Sequence, residues 1–540
     1  MKAKSNFRMR RGVFCLFTTA SILEKLLEVL YYVPMNLEFA QTPNGSRIGI
    51  LSELANRHGL ITGATGTGKT ITLQVLAEQF SKAGVPVFVA DVKGDLSGIS
   101  QPGTLSEKLK NRLISLNIPE PEVMASPALF WDVFGKSGHP VRSTISEMGP
   151  TLLSRLMNLN DTQASVLQVL FKIADEAELL LIDIKDLNAL LMFAQENKEA
   201  LKAQYGHLSP ASIGTIQRAL LTLEERGAKK FFGEPAFDIH DLLQTDSQGR
   251  GYVHVLAADQ LLQTPIVYST FLLWMLSELF ENLPEVGDMD KPKLVFFFDE
   301  AHLLFKDAPK VLVEKIEQVV RLIRSKGVGV YFVSQNPMDI PATVLGQLAH
   351  RVQHALRAFT PSDQKAVKVA AQTLRQNPEF SAEEVITQLG VGEALVSVLD
   401  AKGAPTVVER AFIFPPASQM GPINPEARAV LMSQSPVAGH YEKEVDRISA
   451  FETLAEQKKN TQPSETLKGP VGVPTSASSS QNNVLKEILF GKTGPRGGRH
   501  AGLVEKAATS AARSVATNMA REFSRGLLGS LLGGGSKRKR

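Results

Sequence analysis

The chain has 540 residues, 43% of them hydrophobic and 21% charged, which permits a large globular core and excludes a small stapled fold. Its one cysteine, Cys15, rules out an intrachain disulfide and a four-cysteine zinc site. The net charge of +4 is concentrated at the ends: residues 1–20 hold five Lys/Arg and no acid, and residues 491–540 hold eleven Lys/Arg against Glu505 and Glu522. The middle of the chain is therefore acidic, and composition shows no globally basic nucleic-acid surface.

At the N-terminus a basic run precedes Val13-Phe14-Cys15-Leu16-Phe17 in the manner of a secretory leader, but the apolar run is short. Residues 22–32, with Glu24, Lys25 and Glu28, read better as an amphipathic helix. Residues 1–34 are read as a leader or a non-native start, helical or disordered. Met35 is a candidate true start, because the strand-like Leu37-Glu38-Phe39 follows it. No run of 18 or more apolar residues occurs, so no transmembrane segment is expected and the expected location is cytoplasmic.

Residues 59–70 read Gly-Leu-Ile-Thr-Gly-Ala-Thr-Gly-Thr-Gly-Lys-Thr. Gly63, Gly68, Lys69 and Thr70 fill the G-x-x-x-x-G-K-[ST] pattern of a P-loop, between a strand-like Leu60-Ile61-Thr62 and a helical pattern reaching Phe80. The backbone of Gly63, Ala64, Thr65, Gly66, Thr67 and Gly68 can turn its N–H groups toward phosphates, and the helix N-terminus adds partial positive charge. Lys69 then reaches the β- and γ-phosphates of ATP, and Thr70 offers its hydroxyl to Mg2+. The next strand, residues 85–90, ends in Asp91-Val92-Lys93-Gly94-Asp95. If it neighbours the P-loop strand, Asp91 or Asp95 can position Mg2+-bound water or pin the loop; a strand-end turn capped by Asp is the alternative.

Residues from about 97 to 250 read as a helical insertion, with helices over 151–159, 162–178, 184–195 and 212–226. A strand follows at 252–256. The helix expected at 265–281 packs Phe271 and Trp274 against the sheet as core residues, with DNA stacking the remote alternative.

Residues 294–298 are an uninterrupted apolar run, as in a central parallel strand, and end in Asp299-Glu300. The carboxyl end of such a sheet holds ligands. There Asp299 can hold Mg2+ through water, and Glu300 can orient or deprotonate the attacking water. The strand at 328–333 ends in Ser334-Gln335-Asn336-Pro337, where Gln335 can touch the γ-phosphate and the water or merely begin a turn. Arg321 and Arg324, on a helix over 311–325, can neutralise phosphate, meet DNA or stay solvated. Arg351 and Arg357 flank a strand-like segment at 352–358, and in a ring of subunits either can reach a neighbouring site as a finger in trans; Arg142 and Arg155 are rivals.

From Pro415 the composition shifts to Pro, Ser, Thr and Gln, and residues 416–483 read as a flexible linker. In residues 484–540, Val504, Ala508, Ala511, Val515, Met519 and Phe523 recur at largely helical spacing ahead of Lys537-Arg538-Lys539-Arg540. This basic amphipathic tail either docks on its own body or a neighbouring subunit, or is drawn to an acidic partner such as nucleic acid, a protein or an anionic membrane surface.

The phrases at 58–70, 91–98, 139–163, 331–341 and 351–361, with Asp299-Glu300, carry a family resemblance. The chain resembles the HerA/FtsK superfamily of P-loop ATPases, and more narrowly the bacterial HerA-like, YjgR-type family, over about residues 36–415, with a similar tail. That resemblance implies an α/β fold: a RecA-like P-loop NTPase core over 35–415 with a mainly parallel sheet and the helical insertion. It further implies ATP and Mg2+ as cofactors, a homo-oligomeric, hexameric ring, and double-stranded DNA as the track. The nucleotide-site positions it implies are Lys69, Thr70, Asp299, Glu300 and Gln335. The chain departs from archaeal HerA in having only about sixty residues ahead of the P-loop, so no preceding β-barrel is expected and nuclease docking through one is in doubt. FtsK-type membrane anchoring is likewise not expected. Beside a DNA-moving ring ATPase stand two other functions: a nucleotide-dependent switch or scaffold on a protein or membrane partner, and, weakest, a metabolic kinase for which no acceptor pocket is apparent.

Overall fold

The computed structural model describes residues 35–261, 265–287, 289–305 and 310–461. The expectations for residues 1–34, for 462–483 of the linker and for the tail at 484–540 lie outside them. Twelve strands form one sheet: β1 (Asn36–Gln41), β2 (Arg47–Leu51), β3 (Gly59–Thr62), β4 (Val87–Asp91), β5 (Ala128–Asp132), β6 (His139–Pro140), β7 (Val253–Ala257), β8 (Leu294–Phe298), β9 (Val328–Ser334), β10 (His350–Gln353), β11 (Glu393–Ser397) and β12 (Glu409–Ile413). Their spatial order is β2-β1-β12-β11-β10-β3-β9-β8-β4-β7-β5-β6. Every pairing from β10 to β6 is parallel, and those from β2 to β10 are antiparallel.

The parallel centre is covered on both faces, which is why its strands are continuously apolar. Alternation divides them cleanly: Phe88, Phe296, Phe298, Val330 and Phe332 enter one core, while Val87, Val89, Val295, Phe297 and Tyr331 enter the other. The second core is closed by Leu73, Leu76 and Phe80 of the helix Lys69–Lys82. The first is closed by the helix Pro265–Asn282, whose Phe271 and Trp274 are buried core residues as expected, and by a helical layer. That layer comprises Ile145–Leu156, Asp161–Glu176, Ile184–Glu196, Lys198–Tyr205 and Pro210–Leu223. Capping boxes at Thr144/Glu147, Asn160/Gln163 and Asp183/Asp186 set the starts of the first three helices. Among the described residues no helix is long and apolar enough to cross a membrane.

Three expectations are corrected. The range 97–250 is not wholly a helical insertion: β5 and β6 lie within it and extend the sheet beyond β7, with Leu129, Phe130 and Trp131 buried. Nor are residues 417–461 a free linker. They form a strap over the body with helices Pro425–Ser433 and Ala450–Thr461, and Val437, Tyr441 and Ala450 are buried. Its Pro425 occupies the first helical turn after the Asn424 cap, where a missing N–H costs nothing. The strand expected at 352–358 ends at Gln353, because the next carbonyls turn to other partners: Ala355 O accepts from Ala64 N at 2.8 Å.

Candidate nucleotide site

Three adjacent parallel strands bring the site together. β3 pairs with β9 at Thr62↔Ser334, and β9 pairs with β8 at Phe332↔Phe298, so the loop after β3, Gln335 and Asp299-Glu300 meet at one carboxyl edge.

The loop after β3 is tightly seated. A Cβ at Gly63 would stand 2.5 Å from the His354 Cβ and 2.9 Å from the Thr67 hydroxyl, so only glycine fits. The Thr67 hydroxyl donates to Ala64 O at 2.7 Å, and Gly392 N donates to Thr67 O at 3.0 Å from the other side. Gly68, at φ 116°, precedes the helix Lys69–Lys82 without a side-chain cap, so no side chain competes for the first helical N–H groups. Lys69 Nζ donates to Gly63 O at 2.7 Å and Ala64 O at 3.0 Å, above the loop. Burial lowers its pKa, against the raising influence of Glu300 and Asp299. Thr70 is half-buried in the first turn. This glycine cradle and uncapped helix end fit a nucleotide phosphate.

Asp299 is buried. Its Oδ1 accepts from Glu300 N at 2.9 Å and its carbonyl from the Tyr268 hydroxyl at 2.9 Å. Burial, then the neighbouring Glu300 charge, pushes its carboxyl up to about 7, so a cation beside it would restore the ionised form. Among the described residues no group of three or more His, Cys, Asp or Glu could hold a metal alone. A Mg2+ here would depend on Asp299, Thr70 and phosphate oxygens, in keeping with that ion's habit.

Glu300 has φ 49°, a left-handed conformation that costs a non-glycine residue about 1 kcal/mol or more and that clusters at functional sites. Its Oε1 lies 3.1 Å from Lys93 Nζ; its Oε2 accepts from Gln335 Nε2 at 3.4 Å and lies 3.4 Å from His302 Nδ1. Burial pushes the carboxyl up, but the Lys93 hydrogen bond and charge outweigh it and hold Glu300 below the usual range.

Lys93 was not singled out from the sequence. The signal was the Asp-Val-Lys-Gly-Asp turn, but its meaning depends on β4 lying against β8, which no local pattern reveals. The same topology corrects Asp91. β8 and β9 stand between β4 and β3, so Asp91 is not beside the P-loop. Its Oδ1 accepts from Gly94 N at 2.8 Å and its Oδ2 from Leu96 N at 3.1 Å, the turn-capping alternative. Burial, with Asp95 adding, pushes its carboxyl up to about 6.

The arginines separate. Arg142 is buried and committed to the strap, donating to Tyr441 O at 2.6 Å and Glu444 Oε1 at 3.3 Å. Arg155 donates to Ser269 Oγ at 2.8 Å beneath the helix Pro265–Asn282, and burial lowers its pKa to about 10. Arg351 donates to Leu345 O at 2.8 Å, and burial lowers its pKa also. Arg357 is exposed beyond the end of β10. Arg324 and Arg321 lie before the amino end of β9, the full seven-residue strand away from Gln335, so the expectation that they neutralise phosphate in this site is not met.

A mainly parallel α/β sheet carrying a P-loop and an acidic pair two strands away defines a P-loop NTPase fold. The helicase HerA-like C-terminal family matches residues 36–539, and the chain belongs to it. The chain is 24% identical over 349 residues to a probable helicase of Methanocaldococcus jannaschii, covering 64% of this chain and 60% of the relative. It is 22% identical over 361 residues to the DNA double-strand break repair helicase HerA of Sulfolobus acidocaldarius, covering 63% and 62%. The chain thus spans about three-fifths of the length of these curated relatives. Among solved structures it is similar to the plasmid coupling protein TrwB in complex with the non-hydrolysable GTP analogue GDPNP, with 14% identity, a TM-score of 0.48, and coverage of 74% of this chain and 94% of that one.

Proposed function

We propose that the chain is a cytoplasmic ATPase that works as a subunit of a homo-oligomeric, hexameric ring and couples hydrolysis to movement on double-stranded DNA. The observation that carries the ATPase reading is the convergence of Lys69, Glu300 and Gln335 at the carboxyl ends of three adjacent strands. Lys69 and the loop amides grip the phosphates, while Thr70 and Asp299 are the side chains that would hold Mg2+. Bound there, the ion would neutralise phosphate oxygens. Glu300 accepts a hydrogen bond from the attacking water and Gln335 fixes that carboxylate from the neighbouring strand. Arg357, exposed beyond β10, is the finger candidate for a neighbouring subunit. The DNA part rests on family membership and on the name of the Sulfolobus relative.

The test is ATP turnover with and without double-stranded DNA, paired with a mass measurement, for the wild type and Lys69→Ala. Turnover should be stimulated by DNA, the stimulation should weaken as salt rises because phosphate contacts release counterions, and Lys69→Ala should abolish it. Turnover that ignores DNA would favour the nucleotide-dependent switch; no turnover would refute the ATPase.

A further inference from the structure

We propose that Lys93 reads the terminal phosphate of a bound nucleoside triphosphate, and that in doing so it releases Glu300; the inference rests on the ATP-site reading above. Lys93 stands on a fixed platform. The Asp91 carboxylate accepts from Gly94 N and Leu96 N, Gly94 takes φ 75°, and the turn is tied to the strap where Gly98 N donates to Gly421 O at 3.0 Å and Ile423 N to Ser97 Oγ at 3.1 Å.

The side chain borne by that platform is the movable half of its ion pair. Lys93 is 45% exposed, whereas its partner Glu300 is 9% exposed, held at 3.1 Å and gripped from the other side by Gln335. Lys93 is also near enough to Lys69 for their charges to repel, so two ammonium groups approach one carboxylate pair from different strands. Lys69 belongs to the loop that begins the site; Lys93 comes from β4, on the far side of β8.

The carboxylate keeps free lone pairs, but the Lys93 ammonium at 3.1 Å from Oε1 lowers its basicity and occupies the side from which that oxygen would take a proton from water. A terminal phosphate between the two lysines carries more negative charge than Glu300 and offers three acceptor oxygens to a flexible ammonium, so it competes successfully for Lys93. Transfer of the lysine frees Glu300 Oε1 for water at the moment a hydrolysable phosphate is present. A diphosphate ends short of this position and leaves the Lys93–Glu300 pair closed.

The test compares the Mg2+-dependent affinities of ATPγS and ADP for the wild type, Lys93→Met and Lys93→Arg in the full chain. A charge-assisted hydrogen bond to phosphate translates into about a tenfold to hundredfold loss of ATPγS affinity in Lys93→Met, with ADP changed less than about twofold. Lys93→Arg should recover most of the difference. Retained ADP affinity controls for folding. An unchanged ratio of the two affinities, or equal loss of both, overturns the role of Lys93 while leaving the ATP site intact. A wild type that binds neither nucleotide overturns both readings.

Discussion

The strap formed by residues 417–461 is the feature in which composition and structure disagree most, and Tyr441 is where its attachment can be measured. The Tyr441 ring is fully buried against Trp131, with centroids 5.4 Å apart. Its hydroxyl donates to Asp241 Oδ2 at 2.5 Å and accepts from Asp238 N at 3.1 Å, and its carbonyl accepts from Arg142 Nη1 at 2.6 Å. Tyr441→Phe keeps the ring and removes a hydrogen bond to a carboxylate, a loss of about 2 kcal/mol, which makes local opening about thirtyfold more frequent. Tyr441→Ala removes the ring as well and, at about 3–5 kcal/mol for an aromatic truncated in a core, should detach this part of the strap. Hydrogen exchange reads local opening directly. The amides of Ala438, His440 and Val445, bonded to Ser435 O, Val437 O and Glu234 O, are the reporters. Exchange should accelerate by about thirtyfold in the first variant and approach the rate of an unprotected chain in the second. Wild-type rates in both would mean that Tyr441 does not hold the strap.

Two further outcomes are expected. Glu300→Gln should bind ATP within a few-fold of wild type but lose about 10²–10⁴ in turnover, the usual contribution of a positioned base; single-turnover kinetics would check it, and full activity would remove Glu300 from the chemistry. His254 is buried, accepts from Trp131 Nε1 at 3.1 Å, and is lowered by burial from the ordinary 6.5 to about 3. As pH falls below 6.5 the unfolded chain takes up a proton that the folded chain refuses, so this contribution to stability is complete above 6.5 and lost toward pH 3. His254→Asn retains an acceptor for Trp131 and should flatten the fall in denaturation free energy by up to about 1.4 kcal/mol per pH unit. Identical pH slopes in the two proteins would contradict the sign argument.

What was legible in the sequence was what is local. β8 was readable to the residue because Leu-Val-Phe-Phe-Phe needs burial on both faces, and the loop at 63–70 because its glycines and lysine occupy fixed offsets. Four helices of the insertion were readable from their periodicity, to within three residues at every end but the start of the first, whereas the short helices Glu107–Ser115 and Lys198–Tyr205 were not. What was not legible depended on lateral order in the sheet. Asp91 and Lys93 stand two residues apart, yet topology gives one a turn to cap and the other the Glu300 carboxylate. β5 was hidden because Ala128-Leu-Phe-Trp-Asp is short and flanked by irregular chain, so only its pairing with β7 declares it a strand. The strap was misread because prolines and polar residues suggest a solvated chain, whereas its isolated Val437, Tyr441 and Ala450 each find a buried position on the body.

The first residues of the strap, 417–423, tie it to the elements around the site. Gln74 and Glu78 lie on the helix that begins with Lys69 and Thr70. Gln74 Nε2 donates to Ser418 Oγ at 2.7 Å, and the Glu78 carboxylate accepts from Ala417 N at 2.9 Å and Ser418 N at 3.0 Å. A few residues on, Gly421 O and Ile423 N bind the chain that continues from the Lys93 turn. One peptide therefore fastens the helix Lys69–Lys82 to the turn presenting Lys93, although the strands leading into them are separated by two others. A Cβ at Gly98 would fall 2.2 Å from Gly421 O, so the contact tolerates no side chain and little displacement. Loosening the strap should then disturb the distance between Lys69 and Lys93 before it disturbs the sheet, because the strands are held by their own ladders and the two lysines by this splint.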